Sequence, residues 1–180
     1  MTPGARRLVH AALAVLNRNG VAGLTLDAVA AEAGVSKGGL LYHFPSKQAL
    51  LRGVVDVVTE DWQDDVRTRE AADGQPGGRC ARAYVGACAD DRTGHEANFA
   101  LLATLALDRE HARLWSSLAA EWAASDRADG RVDPVDLTVA RLAADGLWLA
   151  TLFDLYGVRG EHRADVVERI TALTREEPPA

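Results

Sequence analysis

The sequence predicts an all-α protein of about nine helices in two parts. An N-terminal three-helix head over residues 1–46 carries a helix-turn-helix, and a larger helical body follows over 47–180. Three observations carry this. Apolar residues recur at helical spacing, with few alternating β-branched runs and only 6 prolines. The stretch TLDAVAAEAGVSKGGLLYHFPSKQALL, from Thr25 to Leu51, reads as a short helix, a glycine turn, a second short helix and the start of a third. Charge is also split. Residues 1–52 hold six basic side chains against Asp27 and Glu32, whereas the whole chain carries a net charge of −6. A basic head on an acidic body binds a polyanion by one end and repels it elsewhere.

The first helix is expected from Pro3 to Asn19, with Leu8, Val9, Ala12, Val15 and Leu16 inward and Gly20 as its stop. Thr25 caps the second, whose first turn holds Asp27. Gly34 takes the left-handed position that ends it. Ser36 caps the third helix, and Leu40 and Phe44 anchor it to its own domain. Pro45 forbids continuation, and Ser46 caps a long fourth helix from Lys47 to about Glu70. That helix starts in the head and ends in the body, as a lever would. A linker follows at Ala72–Gly78. Helices five to seven are expected over about Arg79–Asp91, His95–Leu107 and Asp108–Ser125. Asp133-Pro134 starts an eighth running to about Tyr156, and a ninth covers about Glu161–Thr174.

The second and third helices suit a DNA groove. Lys37 and Lys47 bracket the third helix as phosphate contacts, and Tyr42 and His43 at its end can donate to phosphate or stack on sugar. Ser36, Gly38 and Gly39 are placed for close backbone approach or direct hydrogen bonds, and Thr25 for a phosphate bond as well as its cap. Two helical glycines cost about 1 kcal/mol each, which makes sense if the helix must approach a surface closely. The plain alternatives are a core aromatic for Tyr42, a solvated imidazole for His43, and glycines that only relieve crowding between helices.

GVSKGGLLYHFPSK, preceded by TLDAVAAEA, closely resembles the DNA-binding signature of the TetR family of bacterial transcriptional regulators. The resemblance is specific over about Arg6 to Val55. It implies a cytoplasmic homodimer that binds double-stranded operator DNA through this motif and releases it when a small molecule enters the C-terminal domain. Leu41 stands where the family usually has Tyr, and the aromatic comes one position later, at Tyr42. The contact that Tyr makes is thus absent or transferred.

In the body, Trp62, Tyr84, Phe99, Trp115, Trp122 and Trp148 are candidates to line an apolar or aromatic effector pocket. His95, Asn98, Thr104 and His111 are its candidate polar groups. Each aromatic also has a plain reading as core. The last two helices carry more apolar surface than one chain can bury. A two-fold four-helix bundle would bury it, with Leu137, Ala140, Leu147, Thr151, Leu155, Val166 and Ile170 at the dimer interface. Such a dimer sets two recognition helices about 34–36 Å apart.

No run of about 18 apolar residues is present, so no membrane span is expected. Cys80 and Cys88 share one helix roughly 12 Å apart, too far for a disulfide. No metal, cofactor or catalytic motif is expected: the five histidines form no zinc pattern, and there is no phosphate loop or nucleophile elbow. His95-Glu96 with Asp108 and His111 is the nearest thing to a metal set. Two other readings stand beside the regulator: a helical ligand-binding or interaction protein with a vestigial DNA head, and a small all-α enzyme.

Overall fold

The computed structural model describes residues 1–90, 98 and 108–176. Among them it holds eight helices and no strand: α1 (Pro3–Gly23), α2 (Leu26–Ala33), α3 (Lys37–His43), α4 (Lys47–Ala72), α5 (Arg79–Ala89), α6 (Arg109–Asp129), α7 (Pro134–Phe153) and α8 (Gly160–Ala172). The all-α expectation holds. The helix expected over His95–Leu107 lies outside the described residues except for Asn98, which is helical and buried. The chain divides into two compact units, residues 1–61 with 92–112 and residues 62–91 with 113–180, so that α4 is divided after Asp61 and α6 after Ala112.

The first unit is built on α1. Thr2 caps it, accepting from the Ala5 amide at 3.3 Å, and Pro3 sits in its first turn. Leu8, Val9, Ala12, Val15 and Leu16 are buried along one face, as their spacing requires. Gly20 does break the helical backbone, at φ 68°, but a further turn follows the kink, so α1 runs on to Gly23 and not to Asn19. α2 packs across α1, and α3 packs on α2. Gly34 closes α2 at φ 66°, and the Val35 amide returns to the Ala30 carbonyl at 3.0 Å. This is the left-handed stop that glycine makes without strain.

The start of α4 completes the core. Ser46 Oγ accepts from the Ala49 amide at 3.0 Å. Leu50, Val54 and Val57 are fully buried, together with Leu24, Val29 and Leu40. Phe44 closes the layer from the end of α3. A Cβ at Gly53 would lie 2.7 Å from the Phe44 ring, so α4 needs glycine there for that ring to lie against it.

In the second unit α5 packs against α7 and α8. Tyr84, Val85, Ala140, Ala144, Leu147 and Ile170 form its core. Arg82 ties the α4–α5 linker to the end of α8. Its Nε donates to Asp73 at 2.7 Å, its Nη1 to the carbonyls of Gly77 and Thr174 at 2.8 and 2.6 Å, and its Nη2 to that of Gln75 at 2.8 Å. Asp133 caps α7 through the Val135 amide at 2.8 Å, with Pro134 at the first position. α7 ends at Phe153, three residues before the expected stop, because Asp154 already takes a left-handed conformation at φ 53°. No helix among the described residues is long and apolar enough to cross a membrane.

Replacing Gly53 by Val should overpack the Phe44 contact and destabilise the protein by about 1–3 kcal/mol, read as a lower midpoint in urea unfolding with an unchanged m-value.

Candidate functional site

α3 is seven residues long, too short to stand alone. Ser36 Oγ accepts from the Gly39 amide at 3.1 Å, and Leu40 is fully buried. Everything else on the helix faces out. Lys37, Gly38, Gly39, Tyr42 and His43 are exposed. Tyr42 is 84% exposed and meets the His43 ring edge-on, at 5.1 Å between centroids, so it is no core aromatic. Leu41 is exposed beside it.

The glycines of α3 are not required from within. A Cβ at Gly38 would find its nearest atom at 3.9 Å, and one at Gly39 would meet Ser36 Oγ at 3.4 Å. Neither has a left-handed backbone. The crowding alternative therefore fails for Gly38. Thr25 is exposed at the neighbouring cap, its hydroxyl accepting from the Ala28 amide at 3.1 Å.

The charges are less free than the sequence suggests. Lys37 Nζ pairs with Asp27 at 2.9 Å, and Arg18 with Glu32 at 2.6 Å. Arg6 bridges Glu60 and Asp61 at 3.2 and 2.6 Å. Lys47 Nζ donates to the Val21 carbonyl at 3.3 Å. Over Met1–Asp61 the six basic side chains face five carboxylates, so basicity here is local to a few side chains. Exposed pairs of this kind are worth about 0–1 kcal/mol and break readily.

Four of the six predicted pocket aromatics come together in the second unit. Trp62 lies 5.2 Å from Tyr84, 5.5 Å from Trp115 and 5.4 Å from Trp122 between ring centroids. Tyr84–Trp122 and Trp115–Trp122 are 5.3 and 6.2 Å apart. The four rings touch one another, so a ligand would lie beside the cluster, not between its rings. Tyr84 is buried and the three indoles are half-buried, which gives the cluster an outer side. Trp148 is half-buried on α7 and shares no ring contact with the four among the described residues. Phe99, His95, Thr104 and the pair His95-Glu96 lie outside the described residues. His111 belongs to the first unit, where its Nε2 lies 3.0 Å from Asp56 and its Nδ1 3.5 Å from Asp108. Among the described residues no group of three His, Cys, Asp or Glu is placed to hold a metal.

Sequence reasoning missed the polar half of this site. Arg141 binds Asp126 through Nε and Nη2 at 2.5 and 2.9 Å, both side chains nearly buried. Its guanidinium lies over the Tyr84 ring at 4.9 Å and the Trp122 ring at 5.7 Å. The Tyr84 hydroxyl donates to Asp145. Burial pushes the Tyr84 phenol up, and the Asp145 carboxyl, exposed on its outer side, is raised by desolvation where it meets that phenol. A signal was available: Arg141 and Asp145 are two charges four apart in a helix otherwise apolar over most of its circumference.

The family model described as "Bacterial regulatory proteins, tetR family" matches residues 8–54, and that described as "Tetracyclin repressor-like, C-terminal domain" matches residues 78–175. The chain belongs to the TetR family. Curated regulators match about a third of the chain. The HTH-type transcriptional regulator RutR of Escherichia coli (strain K12) is 40% identical over 57 residues, 32% of this chain and 27% of that protein. The match thus spans about a quarter of that relative's length. Among solved structures, a transcriptional regulator from Rhodococcus sp. Rha1 superposes with a TM-score of 0.73 at 18% identity, covering 94% of this chain and 95% of that one, which is a likeness of fold. The multidrug binding protein EbrR complexed with malachite green gives a TM-score of 0.63 at 27% identity, covering 97% and 99%.

The TetR-type body also reassigns the residues expected at a dimer interface. Leu137, Ala140, Leu147 and Ile170 are buried in the protomer's own core, so they are unavailable to a partner. Val166 is half-buried against that core, and the half-buried Thr151 donates to the Leu147 carbonyl at 2.9 Å. Of the seven, only Leu155 is exposed. The reason is phase: α7 is apolar on two sides, and the sequence does not say which side turns inward. The outward side carries Val135, Val139, Leu142 and Phe153, all exposed, with Gly146 open between them.

Cys80 and Cys88 are both free and half-buried on α5. Burial pushes the Cys88 thiol up to about 12, and the Cys80 thiol is raised for the same reason. Cys88 in the folded protein should therefore react with Ellman's reagent at pH 8 roughly three orders of magnitude more slowly than in the unfolded chain, with Cys80→Ser used to isolate it. Equal rates would show an open thiol.

Proposed function

We propose that this protein is a ligand-responsive DNA-binding transcriptional regulator, acting in the cytoplasm as a homodimeric repressor. The head over 1–46 holds operator DNA, and the body over 47–180 binds a small effector and the partner subunit. The observation that carries the reading is α3: capped by Ser36, anchored by Leu40, and flattened by glycines that packing does not demand. Lys37, Tyr42 and His43 stand on it and Lys47 follows it, with Ser36 at its own cap and Thr25 at that of α2. Lys37 exchanges Asp27 for a phosphate on binding.

The half-buried Trp62, Trp115 and Trp122 with Tyr84 support an effector site in the body, and the similarity to a multidrug binding protein agrees with it. Such an effector releases DNA only by the difference in its affinity for the two states of the protein. The exposed stripe of α7 supports a dimer. An apolar stripe of this length on a soluble helix marks an interface.

Fluorescence anisotropy against fragments selected from the source genome tests the reading. Wild type should bind saturably, with affinity falling as salt rises. Tyr42→Ala should lose about 1.5–3 kcal/mol of DNA affinity, the value of a hydrogen bond to a charged phosphate, at unchanged melting temperature. Gly38→Ala should stabilise the fold by up to about 1 kcal/mol yet weaken DNA binding. Stabilisation without loss of binding would remove α3 as the contact surface. For the dimer, Leu142→Glu should convert the protein to a monomer in sedimentation velocity, while Val166→Ala should leave it dimeric.

A further inference from the structure

The exposed residues of α3 include one apolar side chain. Lys37, Tyr42 and His43 are polar, and Gly38 and Gly39 bear no side chain at all. Leu41 stands among them, 36% exposed, one position past the buried Leu40. It has no part in the core layer that holds the helix. On an ordinary surface a lone leucine needs no explanation. On a surface that meets DNA it decides something, because every group it covers loses its water.

Helix geometry says where Leu41 reaches. Helical side chains lean toward the N-terminus, over the preceding turn. For Leu41 that turn holds Lys37 and Gly38. Gly38 is open: a Cβ there would find its nearest atom at 3.9 Å. No side chain at Gly38 screens Leu41 from that side, and the bare backbone lets the leucine come down to a groove floor. The polar Lys37 and Tyr42 on either side are suited to the phosphates and sugars of the walls.

Leucine carries no donor and no acceptor. In the major groove guanine presents acceptors, cytosine an amino donor, and adenine one of each. Leu41 would strip water from any of these and offer nothing in return, which is costly. Thymine alone among the four bases presents a C5-methyl group, and covering it with an apolar side chain is favourable. The same side chain thus rewards thymine and penalises the other bases.

We propose that Leu41 is a specificity-determining residue that reads the C5-methyl of an operator thymine in the major groove. This rests on the reading of α3 as the DNA-contact helix.

The test uses the full chain and a fragment selected from the source genome. The fragment is rebuilt as a synthetic duplex, so that thymine is its only source of a C5-methyl. Each thymine is replaced in turn by deoxyuridine, which keeps the base pair and removes the methyl. Anisotropy at fixed salt should find a position at which wild type loses about three- to fivefold in affinity. Leu41→Ala should bind the thymine and uracil duplexes equally at that position. Leu41→Met, still apolar, should keep the preference for thymine. Both variants should melt with wild type, since Leu41 lies outside the core. Saturable binding with no such position removes Leu41 as the reader and leaves the regulator. So does a loss that persists in folded Leu41→Ala, because another residue then reads the methyl. No saturable binding of any fragment by wild type removes the regulator and this inference together.

Discussion

A seven-residue helix with glycine at two of its first three positions has no stability of its own. The first unit supplies what α3 lacks. Leu40 and Phe44 plug it into a layer formed by Leu24, Val29, Leu50 and Val54, and Gly53 lets the Phe44 ring close that layer. Ser36 at one end and the Phe44–Pro45 stop at the other leave no spare turn. The exposed face of α3 is then free of structural duty. That is why it can carry a bare tyrosine and glycines that packing does not demand.

The second unit is organised around polarity. Charged side chains are placed inside a core of small and aromatic residues, with Arg141 between Asp126 and two rings. A buried ion pair is weak evidence for stability, since apolar residues of the same volume would serve as well or better. Its retention beside an aromatic cluster fits specificity better than strength. The Arg82 network does a different job, satisfying the carbonyls of Gln75 and Gly77 in the linker and of Thr174 past the end of α8.

Much of this was legible in the chain. Caps at Thr25, Ser36 and Asp133 and the left-handed Gly34 depend on residues a few positions apart, so local reading finds them. That Trp115 and Trp122 share one face of α6 was legible from helical spacing, whereas their meeting with Trp62 and Tyr84 from two other helices was not. Arg141, Asp126 and Asp145 were not, because a charge on a helix is by default a solvated one. The partner of Lys37 was missed for a related reason: Asp27 serves its own helix start as well as the neighbouring helix. On α7 the period gave two apolar stripes without their phase, so Leu137, Ala140 and Leu147 were set on the outer side when they belong to the inner one. The end of α7 escaped because Asp154, unlike Gly157, is not a residue whose left-handed turn can be assumed.

The ring cluster has an optical consequence. Three indoles and a phenol held 5.2–6.2 Å apart couple their electronic transitions. Rings fixed in one asymmetric arrangement should give the second unit a near-ultraviolet ellipticity of its own. That signal collapses when the rings part, even if every helix stays wound, so this unit reports the state of its interior in natural light absorption, with no label attached.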